Sequence, residues 1–215
     1  MAVDNTLNWN TVASLATGFG TLVLAAATFA AVRSSNRTAR LTEASHQADL
    51  RPLLLPSRFH DIEEKVGFID GRWFKIAGGR GIAEVEGDVV YLLMSLRNVG
   101  TGIAVLHAWH LTPDRDPQNT EAPDVGDFRR LTRDLYIPVG DTGFWQGAFR
   151  DPSEPDFQAA VEAIKANKPL TVDVLYGDHE GGQRVVSRFV LTPHDDAGRI
   201  VAASRHWNID RPDPR

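Results

Sequence analysis

The chain has 215 residues, of which 42% are hydrophobic and 24% charged, and this composition excludes an intrinsically disordered protein. Cysteine is absent, which excludes disulfides, thiolate zinc sites and cysteine nucleophiles. The formal net charge is −5, and Lys and Arg are scattered among acidic residues along the sequence, so we expect no nucleic-acid partner.

The first predicted element is a transmembrane helix over residues 12–32, VASLATGFGTLVLAAATFAAV, which contain no charged side chain. At about 1.5 Å per residue, such a helix covers roughly 31 Å, the thickness of a bilayer's hydrocarbon core. Its polar breaks are Ser14, Thr17, Thr21 and Thr28, whose hydroxyls can bond back to the helix backbone. We therefore expect the lipid bilayer to be a partner through residues 12–32.

Two other interpretations of this segment compete with an anchor. A helix buried in a soluble core is usually shorter than residues 12–32. A cleaved signal peptide has a basic start and a shorter apolar core, whereas residues 1–11 contain no Lys or Arg. Small residues four apart, such as Ser14 and Gly18, would in addition allow two spanning helices to associate.

The flanking charges predict the orientation of the span. Residues 1–11 contain Asp4 and no basic residue, whereas Arg33, Arg37 and Arg40 follow the span. Basic residues favour the cytoplasmic side. We therefore expect a single-pass protein of the inner (plasma) membrane, with an external N-terminus and a cytoplasmic C-terminal part.

Residues 33–50 contain no Gly or Pro and predict a helical stalk that continues from the span. Pro52 disfavours helix at the residue before it and should end the stalk. From residue 51 to 208 the pattern changes to short apolar runs between turn residues, which is typical of an all-β sandwich. Residues 209–215 form a tail.

Ten segments of the 51–208 domain are predicted strands: 53–59, 72–77, 81–87, 88–98, 102–112, 134–140, 143–149, 170–177, 183–192 and 199–208. The segment 88–98, DVVYLLMSLRN, is apolar on both faces, which predicts a central strand covered on both sides. One inserted helix is predicted over 153–169, with Ser153 as its cap and an apolar stripe of Phe157, Val161 and Ile164.

The glycines of LRNVGTGIA (96–104) suggest a phosphate-binding loop at first sight. Such a loop is followed by a helix whose N-terminus binds the anion. Here alternating β-branched and aromatic residues follow, so we interpret the stretch as a turn between two strands. Asn98 and Gly100 are expected to take left-handed backbone angles in this turn.

Histidines and carboxylates are the other candidates for a site. His107 and His110 are three apart on a predicted strand, so they should point to opposite faces and not share a metal. The sequence Asp178, His179, Glu180 precedes two glycines, which is typical of a hairpin turn.

The acidic loop 113–127 does not match a calcium-binding EF-hand. Counted from Asp114, the positions that need glycine and glutamate hold Asn119 and Val125. The carboxylate pairs Glu63–Glu64 and Asp195–Asp196 are adjacent in loops, and no nucleophile elbow or H-E-x-x-H motif occurs. We assign no catalytic, cofactor-binding or metal-binding residue, and we expect no cofactor.

Three stretches carry a resemblance to a known group: RNVGTGIA (97–104), YIPVGDT (136–142) and YGDHEG (176–181). With the leading span, the chain resembles uncharacterised bacterial single-pass membrane proteins with a cytoplasmic immunoglobulin-like β-sandwich domain. The resemblance implies an antiparallel sandwich in which these stretches are a glycine turn, a Pro-Gly corner and a hairpin. It implies no catalytic residue.

The function expected from these features is that of a membrane-anchored binding or adaptor module, with a protein partner or a second copy of the chain as its ligand. The alternative is a membrane-tethered enzyme with an unrecognised active site among the sandwich loops. A deep pocket of convergent polar side chains would favour the enzyme. A smooth surface with one apolar patch would favour the binding module.

The predicted orientation can be tested with reporters fused after Arg215. We expect a fluorescent protein that folds in the cytoplasm to be bright, and an alkaline phosphatase that is active only outside the membrane to be inactive, because Arg33, Arg37 and Arg40 hold their side of the span in the cytoplasm. The reverse pattern would contradict the orientation.

Overall fold

The structure, a computed structural model, describes residues 9–113, 119–194 and 198–210. The chain divides into two compact units, Met1–Ala48 and Asp49–Arg215. Four features predicted from the sequence fall wholly or partly outside the described residues: most of the external N-terminus, five residues of the acidic loop 113–127, the pair Asp195–Asp196 and most of the tail 209–215.

The first unit is one continuous helix, α1 (Trp9–Asp49), which covers both the predicted span and the predicted stalk. Its segment Val12–Glu43 contains an apolar stretch long enough to cross a membrane, a test that a signal sequence would also pass. The hydroxyls of Ser14, Thr17, Thr21 and Thr28 each donate to the carbonyl oxygen four residues earlier, at 2.8–2.9 Å. These bonds confirm that the polar breaks are satisfied within the helix.

The second unit is mainly β. Its helices are α2 (Pro155–Lys165) and a 3-10 turn, Val125–Asp127. The strands in the described residues are β1 (Leu54–Pro56), β2 (Glu64–Gly67), β3 (Trp73–Ile76), β4 (Arg80–Glu86), β5 (Val89–Asn98), β6 (Ala104–Thr112), β7 (Arg129–Ile137), β8 (Thr142–Phe149), β9 (Leu170–Gly177), β10 (Arg184–Pro193) and β11 (Arg199–Asn208).

Nine of these strands form one curled antiparallel sheet, in which eight follow the order β1, β5, β4, β11, β10, β9, β6, β7 and the ninth, β8, lies outside this order. β8 pairs with β5 on the side away from β4, since the same β5 residues pair with both neighbours. β4 and β11 join the two halves of the sheet through only two residue pairs. β2 and β3 form a separate hairpin. An immunoglobulin-like division into two sheets stays a prediction.

The central strand β5 is covered on both faces, as its sequence predicts. Val90, Leu92, Met94 and Leu96 are fully buried in the main core, together with residues of β6, β8, β9 and β10. On the other face, Tyr91 and Leu93 pack under the β2–β3 hairpin, whose buried residues are Val66, Phe68, Phe74 and Ile76.

Two strands differ most from the sequence prediction. β7 begins at Arg129, earlier than the predicted segment 134–140, and ends at Ile137 before a turn that places Gly140 at φ +75°. β2 was not predicted, because only Val66 of its four residues is buried and the period of two is too short to detect.

The inserted helix is shorter than predicted at both ends. Ser153 is not its cap, because the N–H and hydroxyl of Ser153 donate to the Asp151 carboxylate at 2.9 and 2.7 Å. Glu154 occupies the N-cap position and makes no side-chain cap hydrogen bond. The apolar stripe is confirmed, with Phe157 and Val161 buried against the core.

Asn98 is the point at which several segments of the domain meet. Its side chain is fully buried. Its Oδ1 accepts from the N–H groups of Leu53 (3.2 Å) and Gly100 (3.0 Å). Its Nδ2 donates to the carbonyl oxygens of Gly102 (2.7 Å) and Ile137 (3.0 Å). One amide group thus satisfies four backbone groups from three segments.

The stretch LRNVGTGIA is confirmed as a turn, since β6 begins at Ala104 and no helix follows. The expected left-handed angles are wrong: neither Asn98 nor Gly100 has a positive φ, and the only such non-glycine among the described residues is Asn167. The glycines serve a different purpose. A Cβ on Gly100 or Gly102 would overlap the backbone of residues 50–53, which crosses directly over them.

We expect Asn98→Ala to lower the melting temperature of the full chain in mild detergent by about 10 °C. The change leaves buried backbone groups without hydrogen-bond partners, and each such group lowers the free energy of unfolding by about 1–3 kcal/mol. The measurement is thermal unfolding followed by near-UV circular dichroism. Asn208→Ala is the matched control, since Asn208 accepts only one hydrogen bond, from Arg51 at the surface. An equal effect of both changes would contradict the role of Asn98.

Candidate interaction cleft

The strands at the two ends of the curled sheet are neighbours in sequence but do not pair. β7 pairs with β6 and β8 pairs with β5, although a turn of four residues, 138–141, connects them. Each therefore presents one edge that forms no ladder with another described strand. Unpaired strand edges carry backbone N–H and C=O groups that are available to an extended partner.

β7 carries a bulge in its pairing with β6. Leu135 lies opposite Leu106 and Arg130 lies opposite Ala108, so residues 131–134 face a single residue of β6. Across the gap between the β7 and β8 edges, a Cβ on Gly147 would lie 2.8–2.9 Å from the rings of Trp145 and Trp109. Glycine at this position allows the two indoles to pack edge to face with centroids 5.3 Å apart.

Two adjoining cavities lie in the gap, and we call them together the β7–β8 cleft. The first has a volume of about 60 Å³ and is lined by Phe68, Trp109, Arg129, Arg130, Leu131, Thr132, Gln146, Gly147, Ala148 and Arg150. The second has a volume of about 110 Å³ and is lined by Phe68, Ile69, Thr132, Arg133 and Gln146. Four of these lining residues are arginines, and none is acidic.

Two of the four arginines are already paired with carboxylates at the border of the cleft. Arg129 forms an ion pair with Glu154, the N-cap of α2, and its guanidinium lies 4.4 Å from the centre of the Phe149 ring. Arg150 donates to Asp70 at 3.3 Å. These pairs fix the walls of the cleft to α2 and to the β2–β3 hairpin.

Asp70 is held as a carboxylate by its neighbours. Burial by itself would raise its pKa, but hydrogen bonds from the Tyr91 hydroxyl (2.9 Å) and the Arg72 N–H, with the charge of Arg150, lower the pKa below its usual value. Burial raises the pKa of Tyr91, and its hydrogen bond to the Asp70 carboxylate raises it further.

The other two arginines of the cleft have no carboxylate partner among the described residues. Arg133 donates through Nη2 to the carbonyl oxygen of Gly67 and to Oε1 of Gln146, both at 3.2 Å. Arg130 is exposed. Guanidinium groups bonded only to neutral oxygens keep their full positive charge available to an anionic group.

The candidate residues singled out in the sequence are not part of this cleft. His107 lies near Asp134, Asp178 and Arg184, and its burial lowers its pKa. His110 instead faces the Phe128 ring, with centroids 5.9 Å apart. The two histidines do not meet, and no group of three potential metal ligands occurs in the described part of the chain.

The predicted hairpin at Asp178–Glu180 is confirmed. Oδ1 of the buried Asp178 accepts from the N–H groups of Glu180 (2.8 Å) and Gly182 (3.0 Å), and Gly181 has φ +77°. The carboxylate is therefore used to form the turn between β9 and β10.

A buried ion pair, which was not predicted from the sequence, lies on the outer face of β9 and β10. Arg188 donates from Nε and Nη2 to the Asp173 carboxylate at 2.7 and 2.9 Å, with side-chain exposures of 5% and 1%. The Arg188 guanidinium also lies 4.5 Å from the centre of the Trp207 ring. The signals available in the sequence were Asp173, the one charge of β9, and Arg188, which interrupts the apolar run of β10.

The ion pair holds part of the acidic loop against the sheet. Arg188 donates to the carbonyl oxygen of Asn119 and Arg205 to that of Thr120. Val125 and Phe128, at the end of the same loop, pack on the apolar cluster around Trp207. The loop is thus a cover for this face of the sheet.

A serine and a histidine lie within hydrogen-bond distance, which bears on the enzyme alternative. Ser187 Oγ is 2.6 Å from Nδ1 of His206 and 2.7 Å from the hydroxyl of Tyr176, which accepts from the Leu54 N–H. Burial raises the pKa of Tyr176 to about 12. Because Ser187 is fully buried, its hydroxyl cannot reach a substrate, and the chain of hydrogen bonds serves to attach β1 to β10 and β11.

Comparison of the chain with protein-family models, curated proteins and solved structures gave no match.

We expect Asp173→Ala to destabilise the full chain by about 3–5 kcal/mol, because it leaves the Arg188 charge buried without its partner. Replacing both residues with leucine should restore much of this loss. Urea unfolding in detergent measures both effects. Asp210→Ala is the control, because Asp210 forms a similar two-point pair with Arg184 at the surface, which is worth about 1 kcal/mol or less. A small effect of Asp173→Ala would contradict the assignment.

Proposed function

We propose that the protein is a membrane-anchored binding module that uses the β7–β8 cleft to hold a partner protein at the membrane. In this proposal α1 is a single-pass anchor of the inner membrane, and the β domain is a cytoplasmic sandwich of the immunoglobulin-like kind. The observation that carries the proposal is the cleft itself: two strand edges without a ladder, lined by arginines.

The apolar helix supports the anchor. The side chains described along Val12–Val32 are exposed, and exposed apolar residues over such a length are unfavourable in water but favourable in lipid. The exposed arginines that follow, Arg33, Arg37 and Arg40, suit the headgroup region of the cytoplasmic leaflet.

The surface of the β domain supports a binding role in a way that the sequence did not indicate. An apolar patch would have favoured the binding module directly, whereas the cleft combines arginines with two apolar residues of the hairpin, Phe68 and Ile69. Arginine and aromatic residues are enriched in protein interfaces. The enzyme alternative has less support, since the close Ser187–His206 contact lies inside the core.

Affinity capture with the tagged full chain from gently solubilised membranes tests the proposed function. We expect a partner protein in a fixed ratio to the chain, still bound after crosslinking and stringent washing. A tagged helix α1 fused to an unrelated soluble domain is the control for capture through the span alone. Recovery of neither a stoichiometric partner nor a self-oligomer would contradict a binding role.

A further inference from the structure

The chemistry of the β7–β8 cleft points to one class of ligand. We propose that the cleft binds an extended acidic segment of a partner protein, with a carboxylate at the smaller cavity, which Arg130 lines, and an apolar side chain beside Ile69 at the larger cavity, which Arg133 lines. This inference rests on the proposed function, because it specifies what the binding module recognises.

The charges of the cleft favour an anionic segment. Its lining contributes four guanidinium groups and no carboxylate, and the two bordering acids, Glu154 and Asp70, already pair with Arg129 and Arg150. This leaves Arg130 and Arg133 with positive charge that no carboxylate among the described residues offsets. Carboxylates match the planar guanidinium with two parallel hydrogen bonds, so an acidic side chain is the complementary group.

The shape of the cleft favours a segment in which an acidic residue is followed two positions later by an apolar residue. The smaller cavity contains most of the arginines, whereas the larger one is bordered by Phe68 and by Ile69, which is 77% exposed. Alternate residues of an extended chain lie on the same side, roughly 6.5 Å apart. One residue can therefore place a carboxylate at the first cavity while the next but one places an apolar group at the second.

The backbone of the cleft favours an extended rather than a helical ligand. The edges of β7 and β8 carry main-chain groups that no described strand pairs with. β7 and β8 form no ladder with each other in the described residues, and β7 carries a bulge at residues 131–134. An extended segment can bond its own main chain to one of these edges, as in strand addition to a sheet.

The proposal can be tested with the full chain in mild detergent and a fluorescein-labelled octapeptide that repeats Asp-Asp-Leu-Leu, so that each aspartate has a leucine two positions away on the same side. Fluorescence anisotropy measures its affinity. We expect saturable binding that weakens at least about tenfold in the double variant Arg130→Glu with Arg133→Glu, and that weakens as salt is added. A peptide that repeats Asn-Asn-Leu-Leu should not bind measurably. Arg58→Glu makes the same charge change as Arg130→Glu alone, at an exposed position outside the cleft, and should bind like the unmodified chain.

The folding of each variant is checked by its melting temperature. Arg133 also donates hydrogen bonds to Gly67 and Gln146, so its replacement could disturb the fold. The single variant Arg130→Glu therefore gives a second measurement of peptide affinity that leaves these bonds in place. The proposal is wrong if the aspartate peptide does not bind at about 1 mM, a limit that already corresponds to weak recognition. It is also wrong if the asparagine peptide or the double variant binds equally well. Displacement of the peptide by an equal concentration of inorganic phosphate would show a simple anion site instead.

The same variants separate this inference from the proposed function. If the double variant still captures the partner that the unmodified chain captures, the binding role stands and the cleft is not its site. If the unmodified chain forms a dimer that the double variant loses, the occupant of the cleft is a second copy, and the acidic partner segment is wrong.

Discussion

The buried amide of Asn98 is the interaction on which the domain's arrangement most depends. It satisfies backbone groups from the segment entering the domain, from the turn 99–103 and from the end of β7. Its own N–H donates to Asp141, and its carbonyl oxygen accepts from Gly140. One residue therefore fixes the start of the domain and the β7–β8 turn relative to β5.

This constraint has a consequence for the cleft. The turn 138–141 is held at Asn98 by backbone hydrogen bonds, so the end of β7 and the start of β8 both lie beside Asn98. β5, however, pairs with β8, while β6 pairs with β7, and the two strands are drawn to opposite halves of the curled sheet. The gap between the two strands is lined by residues away from their common turn, 129–132 at the start of β7 and 146–148 near the end of β8.

Local patterns in the sequence were sufficient to predict much of the fold. The two-sided apolar pattern of β5 predicted its burial on both faces, and the glycines after Asp178 predicted the β9–β10 hairpin. The prediction was wrong where contacts between distant segments decide the outcome. Gly100 is a glycine because the backbone of residues 50–53 crosses it, which no local angle preference reveals.

The sequence by itself determined the long apolar helix, the change to a β-rich domain at Pro52 and the absence of cysteine chemistry, since these depend on composition and on periodicity within one segment. Only the tertiary structure decided which charges meet. Asp173 and Arg188 are isolated in two apolar strands, and the arginines at 129–133 and 150 lie far along the chain from Phe68. Strand pairing brings each set together, and that pairing is fixed by burial over the whole domain rather than by neighbouring residues.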